Sequence, residues 1–375
     1  VPGGSGGGGA GGTFTLTEDQ DVPSLTSGDD TIDGATTADT LTATDIIADG
    51  STSDNDTLNV VATSNVGAAT VINIEDVNVD LQGFGLSVDV DNYTESGLTV
   101  RTTQAGASSA TILNAGANGS GVPITVDPSL TSVTFGGAGD TSDAASFSFG
   151  HNLTLTEDNS IGNASEVEEA TLTATGDATV TLASNQVGAF VGDADSATDV
   201  TLDNGGNALV VNAADVAVLD ALEVAASGAG STTVNAVAAG AGDTADLSGF
   251  SGVDLIDIQE AAAGNDFDGG LTLPDAQTVR VSEDLTSNST LDLAVATDGS
   301  SDEVTIEIAS DLTANAIRVD GNGNSSDFET VNVVAAANAT VADLDAATDV
   351  TVDVSGANDL TLTAATADAI DASDM

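Results

Sequence analysis

The chain has 375 residues, of which 60 are acidic and 3 basic, for a formal net charge of −57. It contains no cysteine, which excludes disulfides, thiolate zinc sites and cysteine nucleophiles. The missing basic footprint argues against nucleic acid as a partner, and an anionic membrane surface repels the same charge.

A chain this acidic repels itself when compact unless cations, salt or basic partners neutralise it. It is still not an acidic disordered tail. Hydrophobic residues make up 40% and recur in short Val, Thr and Leu runs, which is a strand pattern. Aromatic residues are only 3%, so the core must be built from small aliphatic side chains. No stretch of 18 apolar residues is present, and membrane insertion through a helix is not expected. Val1 at the start and Met375 as the only methionine read as a processed chain or a piece of a longer one.

In chain order, residues 1–12 are dominated by glycine and read as a flexible arm. Residues 13–17, Thr-Phe-Thr-Leu-Thr, alternate as a strand does, with Phe14 and Leu16 as the apolar positions. This segment is either an ordinary first strand or an assembly arm that adds to a neighbour's sheet edge. A first β-rich repeat region spans 13–150, with strands expected around 77–79, 86–90, 98–100, 124–126 and 133–135. A second spans 151–375, with strands around 153–155, 170–173, 179–182, 200–202, 209–211, 255–258, 278–281, 304–308, 331–333, 350–354 and 360–362. Residues 213–226 fit a short helix and a strand equally well. His151, the single histidine, begins a strand segment with no nucleophile elbow near it and reads as structural. Gly, Asn, Asp and Ser fill the intervals and are turn formers.

Imperfect repeats run through the chain. Ile74-Glu75-Asp76-Val77-Asn78-Val79 resembles Phe328-Glu329-Thr330-Val331-Asn332-Val333, with looser copies at 167–172 and 253–258. A repeat unit that cannot bury its apolar face alone must stack. The expected fold is all-β, a parallel β-solenoid. The alternative is a string of Ig-like sandwiches, because the Glu-containing copies recur at roughly sandwich spacing. Strands of three to five residues and the lack of tryptophan favour the solenoid.

Several segments set carboxylates at short spacing. Alternate residues of an extended segment share a face, so D-x-D directs two carboxylates to one side. The candidate metal ligands are Asp29, Asp30 and Asp33 in residues 27–34, then Asp54 and Asp56, Asp89 and Asp91, Asp140, Asp193 and Asp195, Asp266 and Asp268, and Asp320 with Asn322 and Asn324. Oxygen-only donors on loops suit a hard cation, calcium above all. The competing reading is a salt-adapted acidic surface with no specific ion site.

Residues 27–34 (Ser-Gly-Asp-Asp-Thr-Ile-Asp-Gly), 39–42 (Asp-Thr-Leu-Thr) and 56–60 (Asp-Thr-Leu-Asn-Val), with the Glu-x-Val-Asn-Val copies, resemble the repeat regions of bacterial surface-layer proteins of the RTX, type I-secreted kind. The resemblance implies a secreted, calcium-dependent, β-rich protein that self-assembles into a lattice on the cell exterior. The chain departs from that pattern in lacking a tandem array of the calcium-binding nonapeptide. The expectation is therefore an extracellular structural protein, polymerising with itself into a surface layer or a matrix fibre. Calcium is the expected cofactor, a cell-surface polysaccharide a candidate second partner, and catalysis is not expected. The alternative function is a cell-surface adhesin module that binds glycans.

Overall fold

The structure is a computed structural model. It describes residues 9–115, 122–137, 144–158, 161, 167, 169–184, 200–213, 216–220, 222–238, 240, 242–260, 265, 267, 270–283, 290–297, 299, 301–319, 328–346 and 350–374. The chain is nearly all β and winds through about 11 turns of a parallel β-solenoid. Parallel pairing of successive turns excludes the sandwich alternative, whose sheets are antiparallel. The described helix, Val216–Asp220, precedes the strand Val224–Ser227, so the ambiguous stretch 213–226 holds both.

The fold divides into two compact units, the first made mostly of residues 1–178 and 191–205 and the second mostly of 206–375. In the first unit, one sheet stacks Thr13–Thr15, Thr31–Gly34, Thr57–Ala62, Asp76–Leu81, Gly97–Arg101, Pro123–Val126, Ala144–Phe149, Glu169–Ala174 and Val200–Asp203 in that order. A second stacks Ser87–Asp89, Ser109–Leu113, Ser132–Phe135 and Leu153–Glu157. A small third sheet holds Ile46–Ala48, Thr70–Ile72 and Tyr93–Thr94. The second unit carries a main sheet from Ala208–Ala213 through Leu255–Glu260, Glu303–Ile308 and Thr330–Ala335 to Ala369–Asp374. Facing elements run from Thr244–Asp246 to Leu360–Leu362.

The alternation in the sequence dictates which face is buried. In Thr57–Ala62, Leu58, Val60 and Ala62 are buried and their neighbours are half-exposed. Register places like on like from turn to turn: Leu58 beside Val77 beside Leu98, and Val60 beside Val79 beside Val100. Each fully buried aliphatic side chain contributes about 1.5–3 kcal/mol. Large residues are rare inside, and where Phe135 and Phe147 meet across two sheets their rings are 4.9 Å apart.

The repeated Glu motif has a structural meaning. Ile74, Val253 and Phe328 are buried, and the acid that follows each accepts a backbone N–H from the preceding turn. Asp56 N donates to Glu75 Oε2 (2.8 Å), Thr232 N to Asp254 Oδ2 (2.7 Å) and Asp302 N to Glu329 Oε2 (2.6 Å). The motif therefore satisfies an amide where the chain turns the corner into its next strand, a position at which an unpaired buried N–H is costly. Asparagines add side-chain ladders: Asn78 Nδ2 donates to Asn59 Oδ1 at 3.2 Å, and Asn235 Nδ2 to Asn212 Oδ1 at 2.7 Å. His151 Nε2 donates to the Leu130 carbonyl at 2.7 Å, a structural contact between turns.

Candidate metal centre

Asp30 and Asp56 each stand one residue before a strand of the first sheet, Thr31–Gly34 and Thr57–Ala62. They occupy the same corner on adjacent turns. Thr57 N donates to Asp30 O (2.9 Å), and Asp30 N donates to Asp56 Oδ1 (2.8 Å). Asp49 arrives from another side, directly after the third-sheet strand Ile46–Ala48, where its N–H is held by the Ile72 carbonyl at 3.1 Å. Asp54 lies in the connection that carries the chain from Asp49 back to Asp56.

These residues converge. Asp30, Asp49 and Asp56 are 1%, 7% and 0% exposed, and one carboxylate oxygen from each lies within 4.8 Å of the others. Part of the cluster has donors: Asp30 accepts from Gly12 N, Thr26 N and Thr26 Oγ1, and Asp49 from Ser51 N. Part has none. Asp56 Oδ2 and both carboxylate oxygens of Asp54 are shut away from solvent without a hydrogen-bond donor. Two other buried acids of this unit, Asp45 and Asp80, differ. Asp45 accepts from Asp21 N and Thr42 N, and Asp80 from Thr103 N and Oγ1.

Burial pushes the Asp56 carboxyl up to about 6, helped by the charges of Asp49, Asp54 and Asp30 and opposed by the Asp30 N–H. Taking a carboxylate out of water disfavours its charged form, and like charges nearby do the same. Among the described residues, the ion pairs are Arg280–Glu307 and Arg318–Asp292, so no basic side chain offsets the cluster. An oxygen-only set of this kind matches the donor chemistry of a hard divalent cation.

The other candidate ligands are placed differently. Asp29 is exposed and accepts from Asn55 N at 3.0 Å. Asp33 is a strand residue that caps the following turn through Ala35 N and Thr36 Oγ1, and Thr36 and Ala35 together lower its pKa. Asp89 accepts from Asp91 N and Asn114 Nδ2; the two acids of that pair form a local turn. Asp140, Asp193, Asp195, Asp266, Asp268, Asp320, Asn322 and Asn324 lie outside the described residues. Asp49 was not legible in the sequence as a ligand. Its one local signal is an Asp-Gly turn closing an apolar triplet, and its partners lie on other turns.

The arm residues Gly9–Gly12 lie against residues 27–30. A Cβ added at Gly11 would sit 1.7 Å from the Asp29 carbonyl oxygen, so that approach requires glycine. Phe14 pairs in parallel with Ile32, and Leu16 is buried.

Compared with protein-family models, curated proteins and solved structures, the chain matches none.

Proposed function

We propose that this is an extracellular structural protein that polymerises with itself into a surface layer or matrix fibre, and that its role is mechanical. The observation that carries the reading is the edge strand Thr13–Thr15 on its glycine-rich arm. One edge pairs with Thr31–Gly34; among the described residues its other edge pairs with no strand. An unpaired strand edge is a template for a further strand. A second copy can extend the sheet there, either by adding an end strand or by supplying its own arm. A solenoid suits this role because each turn contacts only its neighbours and the stack is open to propagation.

The test is removal of residues 1–17 from the purified protein, followed by light scattering over a range of concentrations. The full chain is expected to form large particles above a threshold concentration, and the truncated chain to remain small at the same concentration. A full chain that stays monomeric throughout overturns the proposal, and polymerisation unchanged by the truncation overturns the role of the arm.

A further inference from the structure

We propose that Asp30, Asp49 and Asp56, with the charge of Asp54 beside them, form a specific site for one calcium-sized divalent cation that pins the first turns of the solenoid and the N-terminal arm together. The inference rests on the geometry of the corner and holds whether or not the chain polymerises.

Three observations converge. One oxygen from each of three buried carboxylates falls within 4.8 Å of the others. Calcium binds oxygens at about 2.3–2.6 Å, so two ligands on opposite sides of one ion stand up to about 5 Å apart. Magnesium, at about 2.0–2.1 Å and with strict octahedral demands, requires the group to contract. Second, Asp56 is fully buried and its Oδ2 has no donor, and neither has either oxygen of Asp54. Buried carboxylate oxygens are otherwise hydrogen-bonded or metal-bound. Third, four acids share one corner with no ion-pair partner among the described residues. A divalent ion supplies the missing charge. Zinc is disfavoured by the absence of nitrogen and sulfur donors.

The consequence reaches the arm. Asp30 accepts from Gly12 N, Gly12 O accepts from Thr31 N at 2.9 Å, and Thr13–Thr15 pairs with the same strand. A cation on Asp30 therefore fixes the residue to which the arm is tied. Removing the cation leaves four repelling carboxylates at that point.

The decisive experiment uses the full-length chain stripped with EDTA, titrated calorimetrically with calcium and with magnesium, and melted with and without calcium. Asp54→Asn is the key variant, because the Asp54 carboxylate holds no structural hydrogen bond whose loss would unfold the corner. Asp19→Asn, at an exposed position, reports the diffuse binding expected of any acidic surface. The wild type and Asp19→Asn should show one calcium site tighter than the background. In Asp54→Asn that site should weaken at least about 10-fold, while the EDTA-treated variant melts above EDTA-treated wild type because one buried charge is gone. Equal calcium affinity in Asp54→Asn and wild type overturns the proposal, and so does a lower melting temperature of the variant in EDTA. A lost site with polymerisation intact leaves the assembly reading standing, and the converse result leaves this one standing.

Discussion

Arg318 lies in register with Asp292 on one neighbouring turn and Asp345 on the other. Arg280 lies likewise between Asp257 and Glu307, and Arg101 lies beside Asp80. Every basic residue of the chain therefore has an acid one turn away, at the spacing of a stacked strand. The pairs are not equivalent. Arg318 Nη1 reaches Asp292 at 3.1 Å, and the Asp292 side chain is 3% exposed; Arg280 reaches Glu307 at 2.6 Å, with side chains 38% and 26% exposed. Truncating one partner of a buried pair strands the other's charge, whereas a solvated pair contributes little. Arg318→Ala is expected to lower stability by about 3 kcal/mol and Arg280→Ala by about 1 kcal/mol or less, read by denaturant unfolding. Equal costs would show that burial does not set the difference. The three arginines are plain in the sequence, but their partners are not. Register depends on the length of each intervening turn, and side-chain bonds between turns span anything from 18 to 29 residues.

The repeated Ile/Phe-Glu segment shows how an element of this fold is specified. Its apolar residue fills the interior, its acid accepts an amide from the turn before, and its Val-x-Val pair continues the core. Glu75→Ala removes the acceptor for Asp56 N and is expected to cost about 1–3 kcal/mol, with Glu75→Gln recovering part of it because an amide oxygen still accepts. Thermal melts of the two variants check this, and a Glu75→Ala protein as stable as wild type would refute the capping role. Strands of this kind were legible because alternation and turn composition are local signals. The strands expected around 98–100, 278–281, 304–308 and 331–333 all fall within observed strands. The third-sheet strand Ile46–Ala48 was not read, since three residues are too few to show alternation. With it went Asp49, whose place in the cluster follows from that strand's position. Asp30, Asp54 and Asp56 were visible as acids at short spacing; their convergence was not, because it needs two turns to be stacked.

At the scale of the whole molecule, a chain with a net charge of −57 folds into stacked parallel turns, and most carboxylates among the described residues are half-buried or exposed. Parallel stacking was legible from short strands, recurring motifs and the scarcity of aromatic residues. The proposed assembly and cation site rest on two features of the first turns, the edge of Thr13–Thr15 that pairs with no strand among the described residues and the acidic corner of Asp30, Asp49 and Asp56. Self-repulsion of the compact state and of packed copies falls when cations bind, so polymerisation should respond to calcium beyond what equal ionic strength of sodium chloride produces. The most direct test is negative-stain electron microscopy of the purified full chain in calcium, and in EGTA with sodium chloride at matched ionic strength. Ordered sheets or fibres in calcium, sparse or absent in EGTA, are the expected result. Single particles under both conditions would contradict the account.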